Sequence, residues 1–189
     1  MSNKETGVIK KFEDGRGFGF ISVKNDNDDV FFHQSDVISQ NFSEGDNVEF
    51  IKEQGQKGPK ATKVKVIADP VTEFLKENVL FLEETDYDDF CDTTLKYADN
   101  LKEGELTTSQ IRKIYSRIMN AETPRDLKLL RPQFAYTAGR SDKHGVKDLM
   151  DLLDFLVKKM EEENQKQLNN FLQFIEAVVA YRKYVGDDK

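Results

Sequence analysis

The run Arg16-Gly17-Phe18-Gly19-Phe20-Ile21 sets two phenylalanines one residue apart, with glycine between them. In an extended strand, alternation sends Arg16, Phe18 and Phe20 to one face and Gly17, Gly19 and Ile21 to the other. A core-building strand carries bulk opposite its rings. Glycine there lets the backbone coil and removes competing side chains. The run Val30-Phe31-Phe32-His33 divides the same way, with Phe31 and His33 on one face and Val30 and Phe32 on the other. If the two strands are neighbours, Phe18, Phe20, Phe31 and His33 form a flat aromatic surface fringed by Lys10, Arg16 and Lys60. The chemistry of such a surface is stacking: unpaired bases lie on aromatic rings at about 1–3 kcal/mol each, and the fringing cations take the phosphates. Paired aromatics on a strand are commonly core and a lone histidine is commonly structural, so the glycine spacing and the second run carry the surface reading.

A second set of residues suited to phosphate lies further along. In Thr108–Ala121, Ile111, Ile114, Tyr115 and Ile118 form an apolar stripe at helical spacing, while Arg112, Lys113 and Arg117 project from the opposite face. Lys128 and Arg131 follow on the next helical stretch, and Arg140 ends the one after. The chain is net −7, yet residues 108–149 hold nine Lys/Arg against four Asp/Glu, whereas residues 68–107 hold three against twelve. A basic stretch inside an acidic protein is the electrostatic footprint of polyanion binding, and arginine suits phosphate forks. A solvated helix face is the other reading of the same charges.

Other chemistry finds no residues to carry it. The two histidines, His33 and His144, have no nucleophile placed with them in sequence, and Asp88-Asp89 lacks spaced metal-ligand partners. The single cysteine, Cys91, forms neither an internal disulfide nor a zinc site. The Gly-x-Gly at Gly17–Gly19 sits within a strand and not between strand and helix. These patterns predict no catalytic residue, no cofactor, no metal and no small-molecule substrate. The polar start Met1–Glu5 and the lack of a long apolar run predict a cytoplasmic protein away from membranes.

The elements that must position these groups divide near Asp69-Pro70. Before it, five short runs with period-two alternation are predicted as strands: Val8–Phe12, Arg16–Lys24, Asp29–His33, Asn47–Glu53 and Lys60–Ile67. Turn chemistry separates them at Asp14-Gly15, Asn25–Asp28, Ser43–Asp46 and Gly55–Pro59. Five strands in this length suggest an OB-type barrel over residues 1–67. Residues 68–189 read as an all-α bundle. Its helices are predicted at Val71–Glu83, Asp86–Lys102, Thr108–Ala121, a short piece opened by Thr123-Pro124, Phe134–Arg140 after an interruption at Pro132, Val146–Lys158, and Glu162–Val185 closed by Gly186. The fold class is therefore α+β in two domains, a five-stranded barrel followed by a helical bundle.

From Gly7 to about Val66 the residues resemble the cold-shock domain. Arg16–Ile21 and Val30–His33 resemble its two RNA-binding motifs, and Glu44-Gly45-Asp46 and Gly58-Pro59 fall at its turns. The resemblance implies single-stranded nucleic acid binding with little sequence demand through Lys10, Lys11, Phe12, Arg16, Phe18, Phe20, Phe31, His33 and Lys60, with Phe42 supplying a further ring from a long loop. Where the family has tryptophan before Phe12 this chain has Lys11, and where it has an aromatic after His33 this chain has Gln34. Both changes remove a stacking surface and imply weaker binding than is usual for the family, partly offset by the added lysine charge.

Three later segments, Thr108–Ser116, Leu129–Arg140 and Phe174–Tyr181, resemble the signature blocks of the small subunit of type III-A (Csm) CRISPR effector complexes. That resemblance covers Thr108 to Gly186. It implies a helical subunit without an active site, whose copies stack head to tail along the guide RNA and target RNA among the other subunits. Arg112, Lys113, Arg117, Lys128, Arg131 and Arg140 would then meet phosphate, while Tyr136 and Gly139 serve the fold. Together the resemblances imply a non-catalytic RNA-binding structural subunit of a type III-A interference complex. The alternative is a free-standing cold-shock RNA chaperone or translational regulator with a helical oligomerisation domain.

Overall fold

The computed structural model describes residues 4–23, 28–39, 42–55 and 58–186. The chain divides into two compact units, Met1–Asp69 and Pro70–Lys189.

The first unit is a closed barrel of five strands: β1 (Lys4–Glu13), β2 (Phe18–Ser22), β3 (Val30–His33), β4 (Asn47–Gly55) and β5 (Gly58–Val66), ordered β1-β2-β3-β5-β4. β1 is longer than alternation alone indicates because it serves two neighbours. Its first half pairs with β4 and its second half with β2, both antiparallel. The interior holds Ile9, Ile21, Val30, Phe32, Val48, Phe50, Ala61 and Val64, each at most 1% exposed. Gly19 is required there, since a Cβ at this position would meet the Phe32 ring at 2.6 Å as well as the Lys11 carbonyl.

Two departures from simple alternation matter for the surface. Arg16 does not belong to β2. Asp14–Arg16 forms a 3-10 turn closed by Gly17 in the left-handed region at φ 67°, with the Gly17 N–H donated to the Glu13 carbonyl at 2.8 Å. The second departure is a bulge: Ile9 pairs with Ile21 and Lys11 with Phe20, leaving Lys10 as the extra residue. Beyond it, Lys11 shares the outward face with Phe20 and Phe12 turns inward opposite Gly19. The expected end of the second strand at Lys24 lies outside the described residues, as do Asn25, Asp26 and Asn27 of the following break.

The second unit is helical: α1 (Pro70–Asn78), α2 (Tyr87–Glu103), α3 (Thr108–Ile118), α4 (Pro124–Lys128), α5 (Arg131–Arg140), α6 (His144–Lys159) and α7 (Gln165–Tyr184). After α1 the chain continues as a 3-10 segment, Val79–Glu84, and so does not extend the α-helix to Glu83. Thr107 and Thr123 open α3 and α4 through reciprocal capping boxes with Gln110 and Asp126. Pro132 does not interrupt the chain. It stands in the first turn of α5, where its missing N–H costs nothing, so that helix begins at Arg131 and not at Phe134. α7 packs against α2 and α3, burying Phe171, Phe174, Ile175 and Val178. Its far end is tied by the buried Arg182, whose guanidinium donates to the carbonyls of Leu106 and Gly186 at 2.8 Å each. The Lys102 ammonium donates to Val185 at the same helix end.

Candidate nucleic-acid interface

Strand register builds the barrel's outer face row by row. β2 and β3 set Phe20 opposite Phe31 and Phe18 opposite His33. β1 sets Lys11 opposite Phe20 and Glu13 opposite Phe18, and the parallel β3–β5 pairing sets Lys60 beside Phe31. One row therefore reads Lys11, Phe20, Phe31, Lys60, and its neighbour reads Glu13, Phe18, His33. The three phenylalanines are half-buried and lie apart from the interior cluster. The surface is faceted and not flat. The Phe18 and Phe31 centroids are 5.7 Å apart at 30°, while Phe20 stands at 90° to Phe18 and 74° to Phe31. Edge-to-face contact suits the ring quadrupoles when no base lies on them. On His33, Nδ1 receives the Ser35 amide N–H at 3.2 Å with the Ser35 hydroxyl at 2.8 Å. An amide can only donate, so the proton of the neutral ring resides on Nε2.

Two residues expected on this face belong elsewhere. The bulge turns Phe12 inward, where it lies 6.0 Å from Phe32 at 17° and 4.8 Å from Phe42 at 77°. Phe42 likewise packs, half-buried, against the interior cluster and stands apart from the ring face. Each fringing cation also has an acidic neighbour: Lys10 with Asp29 at 2.8 Å, Lys11 and Arg16 with Glu13 at 3.1 and 3.6 Å, and Lys60 with Asp36 at 2.9 Å. Asp29 and Asp36 lie far along the chain from Lys10 and Lys60 and meet them only in the folded barrel.

In the helical unit, Lys113, Arg117 and Arg140 line one groove of about 780 Å³ between α3, α5 and α6. The Arg117 guanidinium donates to the Gln133 side-chain oxygen Oε1 at 3.4 Å, and Arg140 reaches the Tyr136 hydroxyl at 3.5 Å. Arg112 is exposed on α3 but does not line the groove. Arg131, like the barrel's fringing cations, is ion-paired. Its Nε and Nη2 donate to the two Asp154 oxygens at 2.7 and 3.0 Å, a bidentate clamp from α5 to α6 that holds its proton more firmly than usual. Lys128 lies 3.9 Å from Glu162. Tyr136 and Gly139 do not serve the packing: Tyr136 is 61% exposed, and a Cβ at Gly139 would meet nothing. Among the described residues, no group of three or more His, Cys, Asp or Glu could hold a metal ion, and no helix is long and apolar enough to cross a membrane.

A family model described as Csm2 Type III-A matches residues 84–188, more than half of the chain. The chain belongs to the Csm2 type III-A family. In front of that Csm2 domain, residues 5–67 match the 'Cold-shock' DNA-binding domain. The barrel is 52% identical over 67 residues to the cold shock-like protein CspB of Yersinia pestis, covering 34% of this chain and 96% of that protein. It is 46% identical over 70 residues to the cold shock-like protein CspA of Vibrio cholerae, covering 35% of this chain and all 100% of that one. Among solved structures, the Drosophila Unr CSD456 is similar at 27% identity and a TM-score of 0.33, over 36% of this chain and 29% of that one. The chain is thus a type III-A Csm2 protein with a nucleic-acid-binding cold-shock domain, and both families are non-catalytic. The groove cations lie on α3 and α5, inside the Csm2 domain.

Proposed function

We propose that this chain is a non-catalytic RNA-binding structural subunit of a type III-A CRISPR interference complex. In this reading its Csm2 domain lies along the guide RNA and target RNA path, beside further copies of itself and other subunits, and its cold-shock domain holds single-stranded RNA. The observation that carries it is the union, in one chain, of a Csm2 domain with three phenylalanines standing outside a barrel's interior, two of them in a row bounded by lysines. Stacking needs exposed ring faces, and phosphate needs cations at the ends of the row; both are present. Lys113, Arg117 and Arg140, joined by the exposed Arg112, are the helical candidates for phosphate.

A second reading, a free-standing RNA chaperone or translational regulator, draws support from the completeness of the barrel, which spans 96% of a single-domain cold-shock relative. Affinity purification of the tagged chain from its host separates the two. The interference reading expects a short guide RNA and a large catalytic subunit in the eluate, and recovery of neither would sink it. For the barrel, replacing Phe18, Phe20 and Phe31 together by Ala should weaken binding to a single-stranded oligoribonucleotide by several kcal/mol, at about 1–3 per stacked base. Helical circular dichroism should not change, because none of the three belongs to the Csm2 domain. Undiminished affinity in a filter assay would remove the stacking face.

A further inference from the structure

We infer that the groove between α3, α5 and α6 is a site for an unpaired nucleobase, and not only a strip of phosphate contacts. The inference rests on the proposal that the Csm2 domain lies against RNA, and it names what part of the RNA this groove takes. A pure phosphate strip needs cations on a solvated surface. This groove has in addition an apolar floor, built by Ile111, Ile114, Val146, Leu149 and Met150. Its volume of about 780 Å³ falls in the range of small-ligand sites, which are usually apolar slots carrying a few convergent polar groups.

Those groups are of the kinds a nucleotide uses. The Tyr136 ring, 61% exposed on the wall, offers a stacking face, and its hydroxyl accepts from Arg140 at 3.5 Å. Gln133 offers an amide, which can both donate to and accept from a base edge. Its weak 3.4 Å contacts with Arg117 and Thr137 can be exchanged for such bonds at little cost. Lys113, Arg117 and Arg140 outnumber the single carboxylate, Asp142, along the lining. The base is thus placed on the floor against Tyr136, and the flanking phosphates lie at the cationic rim. A peptide with an acidic side chain would satisfy the rim but leaves the aromatic wall and the amide without a planar partner.

The test uses the full chain carrying Phe18→Ala, Phe20→Ala and Phe31→Ala, so that the barrel no longer contributes stacking. Fluorescence anisotropy compares a labelled oligouridine with an abasic ribose-phosphate strand of equal length. A base site predicts that the oligouridine binds at least about five-fold more tightly, the low end of one stacked base, and that Tyr136→Ala levels the two. Tyr136 is exposed enough for that change to leave the fold intact. Equal binding of both strands, lost on Arg117→Gln, overturns the inference and leaves the phosphate contacts standing. A preference for the oligouridine that survives Tyr136→Ala overturns it too. Failure to bind either strand overturns both the base site and the helical RNA contacts beneath it.

Discussion

Lys11 occupies the end of the ring row, opposite Phe20, at the position where the cold-shock pattern has tryptophan. Its side chain is 62% exposed, so an indole fits there without disturbing the interior. Lys11→Trp should tighten binding to single-stranded RNA by about 1–3 kcal/mol, the value of one added stack, as read by anisotropy titration. No gain would mean that the row does not extend to β1. Its partner Glu13 bears on charge, since one carboxylate neutralises both Lys11 and Arg16 while Asp36 occupies Lys60. Exposed pairs of this sort hold weakly, so phosphate can displace them, but each displacement subtracts from the gain. Glu13→Gln with Asp36→Asn should therefore raise affinity and steepen the plot of log K against log salt by roughly 0.7 for each cation released. An unaltered slope would mean that these cations never meet phosphate. The type and spacing of Phe18, Phe20, Phe31 and His33 made the surface legible in the sequence, whereas its acidic counter-charges were not.

At the level of elements, alternation located every strand, and Phe12, which the resemblance sets on the binding face, lies inward because one inserted residue at Lys10 reverses inside and outside along the rest of β1. No local signal marks that insertion; the closing of β1 onto both β2 and β4 demands it. The helical stretches were legible from apolar spacing and capping residues. Arg131 was not, since its partner Asp154 lies 23 residues on and is brought near only by the packing of α5 on α6. Pro132 carries the same lesson: proline signals a break or a first turn, and only the neighbouring capping geometry distinguishes them. Arg131→Gln should lower the thermal midpoint of the helical unit and leave the salt dependence of RNA binding unchanged, measured side by side on the one variant. A shallower slope with intact stability would return Arg131 to the phosphate contacts.

Taken whole, the chain joins two units with separate interiors, so acid should act on them separately. In the helical unit, hydrogen bonds from Lys166 and then Asn170 hold the Glu83 carboxyl at about 2, against an ordinary 4.5. A carboxyl whose folded value is depressed contributes stability above its unfolded value and loses it as pH falls. The contribution of Glu83 is thus full at neutral pH and fades from about 4.5 toward about 2. Thermal scans of the helical unit between pH 7 and pH 3 should show a falling midpoint, with a smaller fall in Glu83→Gln; equal falls would remove Glu83 as a cause. In the barrel, the cylinder closes between β3 and β5, among the described residues, through the registered pair Phe31 and Lys60, with an isolated bridge from Val37 to Val64. The ring row crosses that seam. A strand of RNA laid along it would work as a clasp, and its binding would then be thermodynamically linked to closure of the seam.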